Sequence, residues 1–430
     1  MKLDSRALRH LASEDWRVLT AVETGSRNHE IVPTPLIEKI ARLRGGSSGV
    51  RKSISALAKF GLIARVKEAK YDGYRLTYGG LDYLALHTHA SRKQVYSVGD
   101  RIGVGKESDV IVVADDSGTQ RILKIHRLGR ISFRSVKSNR DYLRNRASGS
   151  WMYLSRLAAT KEYAFMQALY DEGFPVPQPL AQSRHTVVMS LIDAFPLRQI
   201  SSVPDPASLY ADLIALIMRL ASHGLIHGDF NEFNILVKET KTTDEDGLET
   251  LKLEPVVIDF PQMVSMEHQN ADMYFDRDVN CIKRFFERRF HFTSTESGPS
   301  FRDAKKVLAK SSGTRLDATV VASGFTKKMM KDLEAAIKEQ AAAPPEEDDD
   351  DDDDDDSSDE TDNDGLDEEN GEQGSSSNQM VVVSGIEGDE VDTAVAGDES
   401  QSSAADVEPG QSRNVEADGK IESGMSRIAI

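Results

Sequence analysis

The segment Ile226-His227-Gly228-Asp229-Phe230-Asn231-Glu232-Phe233-Asn234, running into the apolar Ile235-Leu236-Val237, constrains this chain more than any other. An Asp followed five residues later by an Asn lets one loop present a carboxylate to an attacking hydroxyl or water, and an amide oxygen to a metal carried on a triphosphate. Further on, Pro255-Val256-Val257-Ile258-Asp259-Phe260-Pro261 reads as a buried strand ending in a carboxylate, so that Asp259 is a natural Mg²⁺ ligand beside Asn234. Taken singly, an Asp after an apolar strand is usually a turn residue; the ordered combination carries the reading. His227 reads either as a general base or, preferably, as a structural histidine that holds the loop.

Phosphoryl transfer also needs a cradle for the nucleotide phosphates and a cation on them. Gly103-Val104-Gly105-Lys106-Glu107-Ser108 lies between two predicted strands, where glycines let backbone amides approach phosphate closely. A third glycine is missing, Ser108 standing in its place, and an ordinary hairpin is an equal alternative for this segment alone. Lys124 is embedded in Ile122-Leu123-Lys124-Ile125, an apolar strand where an ammonium needs an anionic partner. Glu162, on a predicted helix from Trp151 to Tyr170, could pair with it and aim it at the α and β phosphates; Glu172, or a lysine snorkelling from an edge strand, are the alternatives.

Charge divides the chain unevenly. From Ala341 onward there are 30 acidic and 3 basic residues, so the whole-chain charge of −18 leaves the first 340 residues at +9. The tail, with Pro344-Pro345 leading into nine consecutive aspartates (Asp348 to Asp356), is too polar to bury a core and is expected to be disordered. It reads as a solubilising or regulatory appendage that could compete with RNA for the basic body. Cys281 is the only cysteine, which excludes an internal disulfide and fits a reducing compartment. There is no apolar signal core at the N-terminus and no apolar run of the ~18 residues that a membrane span requires, so a soluble protein without a membrane partner is expected.

Residues 1–92 read as helices over Asp15 to Glu23, Pro35 to Leu43 and Ser47 to Phe60, then a hairpin of Leu62 to Val66 and Tyr74 to Thr77 around an Asp72-Gly73 turn. Three helices and a hairpin suggest a winged helix. Its third helix carries Arg51, Lys52 and Lys59, with Arg42 and Arg44 just before, a placement suited to phosphate contacts; a protein-docking winged helix with a solvated basic face is the alternative. Residues 93–192 read as a five-stranded sheet crossed by one helix, with a basic loop over 127–149. That loop carries Arg127, Arg130, Arg134, Lys137, Arg140, Arg144 and Arg146 against Asp141 alone. It could contact RNA, rest on ATP phosphates, or be merely solvated. Residues 193–340 read as a helical lobe. Asp205 caps its first helix, Pro206 suits the first turn, Leu209, Leu213, Leu216 and Leu220 form the stripe, and Gly224 ends it.

These motifs, with Ser150-Trp-Met-Tyr-Leu-Ser-Arg-Leu, Lys161-Glu-Tyr-Ala-Phe-Met-Gln-Ala-Leu, Phe174-Pro-Val-Pro-Gln-Pro and Ile258-Asp-Phe-Pro-Gln, make the chain resemble the RIO family of atypical serine/threonine protein kinases over roughly residues 1 to 300. Within it, the resemblance is to the subfamily with an N-terminal winged helix. It implies an α+β, two-lobed protein-kinase-like fold of RIO type. It also implies a phosphate loop at Gly103 to Ser108, Lys124 on the phosphates, flexibility in the basic loop over 127–149, and a hinge around Ser190 to Ile192 after Met189. Asp229 would be the catalytic carboxylate, with Asn234 and Asp259 on Mg²⁺ and ATP as the nucleotide. Asp259 would be the aspartate that some relatives phosphorylate transiently. A monomer acting on precursors of the small (40S) ribosomal subunit is implied as well, binding their RNA and assembly factors in the cytoplasm and shuttling through the nucleus. Two departures from ordinary protein kinases bear on mechanism. Asn231 stands where a lysine often follows the catalytic Asp, and the chain passes from Asp259 to a helix too soon for a long activation segment. Hydrolysis or self-phosphorylation is thereby favoured over a broad peptide kinase; a Ser/Thr kinase acting in trans, a small-molecule kinase and a non-catalytic RNA-binding scaffold remain as alternatives.

Overall fold

The computed structural model describes residues 6–66, 72–105, 107–128, 151–243, 249–311 and 313–322, and positions 329, 333, 334, 381 and 382. The acidic run, Lys106 and most of the basic loop, with Arg130, Arg134 and Lys137, lie outside them.

The N-terminal region contains α1 (Ser13–Gly25), β1 (Val32–Pro33), α2 (Thr34–Ala41), α3 (Gly46–Lys59), β2 (Ile63–Val66), β3 (Gly73–Leu76) and α4 (Tyr78–Ser91). Its small sheet runs β1-β3-β2. The sequence reading put a tight turn at Asp72-Gly73; instead Gly73 is a strand residue paired with both Val66 and Pro33. Glycine is needed there for close approach, since a Cβ would stand 2.7 Å from the Val32 carbonyl oxygen. The fourth helix was not anticipated. Gly79-Gly80 disguises its start, which Thr77 caps by accepting a bond from the Gly80 amide.

The next sheet contains β4 (Ser97–Val104), β5 (Ser108–Ala114), β6 (Gln120–His126), β7 (Pro179–Ser183) and β8 (Thr186–Ser190), ordered β4-β5-β6-β8-β7. The short β14 (Val381–Val382) adds to the outer edge of β4. Alternation along β6 sends Leu123 and Ile125 into a core shared with Leu81 and Leu84 of α4, while Ile122 faces α5 (Trp151–Asp171) and the second lobe. The winged-helix region and the first lobe therefore share one core.

The second lobe comprises β9 (Phe195–Pro196), α6 (Pro206–Ser222), β10 (Leu225–Ile226), the hairpin β11 (Ile235–Thr243) and β12 (Glu249–Val257), β13 (Val264–Ser265), α7 (Ala271–Phe290), α8 (Phe301–Lys310) and α9 (Leu316–Ala322). Asp205 caps α6 through the Ala207 and Ser208 amides, its leucine stripe is buried, and Gly224 follows the helix at φ +83°. Among the described residues no helix is long and apolar enough to cross a membrane.

A buried charge cluster joins the winged-helix region to the first lobe. The Arg127 guanidinium donates to both Asp82 oxygens at 2.7 Å, and to Asp109 Oδ2 at 3.1 Å. His185 Nε2 lies 2.7 Å from Asp82 Oδ1, and Arg184 reaches back to Glu23 of α1 at 2.7 Å and 2.8 Å. Arg127, grouped above with the basic loop, is thus 1 % exposed and structural. Its partners come from α4 and β5, so nothing near it in sequence announces the pairing.

Candidate active site

The site is assembled where β6, α5, the loop after β10 and the end of β12 meet. Lys124 faces α5 because it shares the face of Ile122. Its Nζ donates to Glu162 Oε1 at 2.7 Å and to Asp259 Oδ1 at 2.9 Å. Burial alone would depress this ammonium; the Asp259 and Glu162 carboxylates more than offset that and hold it above its ordinary value. Burial would raise Glu162, but Lys124 and His126 bring it down to about 2. His126 Nε2 stands 2.6 Å from Glu162 Oε2. It is two residues beyond Lys124 on the same strand face, a signal the sequence reading passed over.

The loop after β10 carries the second set of groups. Asn231 Nδ2 donates to Asp229 Oδ1 at 2.9 Å, and Asn234 Nδ2 donates to Asp229 Oδ2 at 2.8 Å and to its backbone oxygen at 2.9 Å. Committing the Asn234 NH₂ in this way leaves its amide oxygen as the atom that can ligate a cation. Burial and the nearby Asp259 charge raise the Asp229 carboxyl above its usual range. His227 is buried, edge-on to Phe230 and Phe260, with Nε2 3.3 Å from the Ile258 carbonyl oxygen. Burial pushes it down to about 4, so it is a neutral prop for the loop rather than a base.

Asp278 was missed. It lies on the buried face of α7 with Phe275, Val279 and Ile282, and a lone Asp on such a stripe is a readable sign. Its Oδ2 accepts from the Gly228 amide at 2.8 Å and its Oδ1 from the Phe230 amide at 3.0 Å, which fixes the backbone on both sides of Asp229. Burial raises it to about 7 despite those amides. Asp278→Asn forfeits one acceptor and orphans a buried N–H at about 1–3 kcal/mol, so kcat is expected to fall roughly 10- to 100-fold. The KM for ATP should stay nearly constant, because Lys124 belongs to the other lobe; steady-state phosphate release measures both.

Asp259 has φ +72°, a left-handed conformation that costs a non-glycine residue about 1–2 kcal/mol. Its side chain is 40 % exposed, against 1 % for Glu162, so of the two carboxylates on Lys124 only Asp259 meets the cleft. Above it, the Gly105 amide donates to the Ser108 carbonyl at 2.7 Å, closing the tip between β4 and β5, with Gly103 and Val104 at the end of β4. The Glu107 carbonyl accepts from the Arg127 amide at 2.6 Å, tying this loop to the buried charge cluster. Met189 is buried, Ser190 exchanges two bonds at 2.9 Å with Gln178, and Ile192 is half-buried in the connection between the lobes. Arg42, Arg44, Arg51 and Lys52 are all exposed on the winged-helix region, outside this cleft.

Burial, then the Asp259 charge, raises the Glu107 carboxyl to about 7. A folded-state value above the ordinary 4.5 means that its contribution to stability is full below that value and is lost as pH rises through about 7. Glu107→Gln should therefore flatten the decline in stability between about pH 5 and 8 by on the order of 1–2 kcal/mol, read from denaturation midpoints at each pH.

Hard oxygen donors from Asp259 and Asn234 fit Mg²⁺, which is commonly held by one or two protein oxygens together with phosphate oxygens. Among the described residues no group of three or more His, Cys, Asp or Glu side chains forms a cage of its own.

The RIO domain family pattern matches residues 109–297, and the Rio2 N-terminal pattern matches residues 8–92. The serine/threonine-protein kinase rio2 of Schizosaccharomyces pombe is 56% identical over 334 residues, covering 78% of this chain and 92% of that protein. RIO2 of Saccharomyces cerevisiae is 50% identical over 354 residues, covering 79% and 81%. The crystal structure of the Rio2 kinase–ADP/Mg²⁺–phosphoaspartate complex from Chaetomium thermophilum shares 76% identity at a TM-score of 0.73, covering 79% of this chain and 99% of that one. With both family patterns matched in order and the lysine, aspartate and asparagine array assembled in one cleft, this chain belongs to the Rio2 branch of the RIO family of serine/threonine protein kinases.

Proposed function

We propose that the chain binds ATP with Mg²⁺ between its lobes, moves the γ-phosphoryl group onto Asp259 and hydrolyses the product. In this reading the cycle controls docking on, and release from, precursors of the small (40S) ribosomal subunit. The observation that carries it is the Lys124 ammonium joined to both Glu162 and Asp259, which sets the only cleft-facing carboxylate of the pair beside the phosphate-binding cation. The phosphoaspartate in the Chaetomium relative supports the same assignment.

Lys124 is fixed by Glu162 and steadies the α and β phosphates beneath the tip between β4 and β5. An Asp259 oxygen attacks the γ-phosphorus; the new O–P bond forms as the bond to the β-phosphate oxygen breaks, and ADP leaves. Water then attacks the acyl phosphate and gives its proton to Asp229, releasing inorganic phosphate and restoring the Asp259 carboxylate. Mg²⁺ on Asn234 and Asp259, when bound, neutralises charge on the phosphates.

Only residues 260–270 separate Asp259 from α7, and β13 within them is paired with β10. That leaves little platform for a peptide and favours self-phosphorylation, with transfer to a serine or threonine of an assembly factor as the second reading. The basic α3 face and the +9 charge of the first 340 residues support an RNA-rich partner. In this reading the work takes place in the cytoplasm, with passage through the nucleus. Co-sedimentation with purified small-subunit precursors tests the cycle. Wild type should dissociate with ATP and stay bound with a non-hydrolysable analogue, while Asp259→Ala stays bound with both. Equal retention of wild type with both nucleotides would contradict it.

A further inference from the structure

A positively charged stripe on the second lobe takes no part in the chemistry above. Arg277, Cys281, Arg284 and Arg288 recur at intervals of three and four along α7, on the side opposite buried Phe275, Ile282 and Phe286. They line a groove of about 730 Å³. It continues into a second hollow of about 270 Å³ bounded by Arg198, Arg289 and Glu232. The two hollows collect Arg198, Arg277, Lys283, Arg284, Arg288 and Arg289 against Glu232 and Glu287. Arg277 stands at the catalytic end, where its charge acts on both Asp229 and Asp278.

Five arginines elsewhere in the body are paired with carboxylates. Arg65, Arg121, Arg127, Arg184 and Arg315 each have a carboxylate within 3.1 Å. Among the described residues none of Arg277, Arg284, Arg288 and Arg289 has one at ion-pair distance. So many like charges side by side repel one another and raise the local positive potential, a surface built for an anion.

The chain carries such an anion. Glu346 to Asp356 are eleven consecutive acidic residues. The sequence is anchored to the body on either side of them. Before the run, Leu333 packs with Leu128, Leu154, Leu157 and Ala158, and Glu334 Oε1 lies 3.4 Å from His268 Nε2, three residues ahead of α7. After it, Val381 and Val382 pair with Val98 and Ser97.

The run begins twelve residues beyond Glu334, a reach of about 40 Å when extended, whereas Ala271 to Arg288 spans only about 26 Å of helix. Tethering of this kind holds the run near the stripe at an effective concentration on the order of millimolar. We infer that the acidic run Glu346–Asp356 docks in cis on the Arg277–Arg288 stripe and excludes other polyanions from it.

Cys281, the sole cysteine, is half-buried in the groove and reports whether the groove is covered. Its alkylation by N-ethylmaleimide, an uncharged reagent, is compared in the full chain and in a full chain with Asp348 to Asp356 all replaced by serine. At low ionic strength the neutralised chain should react several-fold faster. Raising salt to about 1 M, where the screening length is about 3 Å, should bring wild type up to the same rate. Arg288→Glu, an exposed substitution, should raise the rate in low salt as tail neutralisation does. Equal rates for the two chains in low salt would overturn the inference. If a single-stranded RNA oligonucleotide then slowed both alike, the groove would be a nucleic-acid surface instead.

Discussion

Asp82→Ala should destabilise the folded body by about 3–5 kcal/mol, the usual cost of removing one partner of a buried ion pair and leaving the other charge without water. Arg127 is 1 % exposed and loses both of its 2.7 Å bonds to Asp82, keeping only Asp109 at 3.1 Å, while His185 loses its carboxylate. Because α4 and the first-lobe sheet share one core, the loss should appear as a single cooperative shift in guanidinium midpoint rather than release of the winged-helix region alone. The double replacement Asp82→Leu with Arg127→Met should cost far less than the sum of the two single changes, since it removes the charges together. Burial would raise the Asp82 carboxyl, but the His185 and Arg127 bonds hold it below its ordinary 3.8. Its contribution is therefore present above that value and lost as pH falls through the lower folded-state value; in the Ala variant this segment of the acid-unfolding curve should flatten.

Lys124→Ala should lower kcat/KM for ATP turnover by about 10²–10³-fold or more, the scale of deleting one preorganised charge at a phosphoryl-transfer site. Two things are lost at once: the cation on the phosphates, and the bridge that holds Asp259 at 2.9 Å in its left-handed conformation. Glu162 keeps His126 at 2.6 Å, so the fold should survive better than in Asp82→Ala. Lys124→Arg should not restore the activity, because a planar guanidinium cannot replace a compact ammonium between two carboxylates that approach to 2.7 Å and 2.9 Å. Phosphate release under saturating and limiting ATP, alongside a thermal melt, separates the catalytic loss from any structural one.

The chemistry-bearing residues were legible because each sits in a short contiguous pattern. Asp229 and Asn234 share one loop, Asp259 ends an apolar strand, and Lys124 interrupts one, so local spacing alone proposes their roles. Legibility failed where the partner is distant in sequence. Arg127 reads as one more base of a basic stretch until the fold brings Asp82 and Asp109 to it. Asp278 acts through two backbone amides about fifty residues away, leaving no trace but a charge on an apolar face. Gly73 carries the signature of a hairpin turn and is used instead for close packing against Val32. Helix α4 was hidden because it is buried on most sides, which erases the periodicity that reveals a surface helix.

The transfer of phosphate to Asp259 is tested most directly by incubating the full chain with Mg²⁺ and γ-labelled ATP and treating the labelled protein with hydroxylamine. Label that hydroxylamine removes, that is absent in Asp259→Ala, that accumulates in Asp229→Ala and that accompanies release of inorganic phosphate from wild type is the expected result. Label that resists hydroxylamine and persists in Asp259→Ala would place the phosphate on a serine or threonine and contradict it.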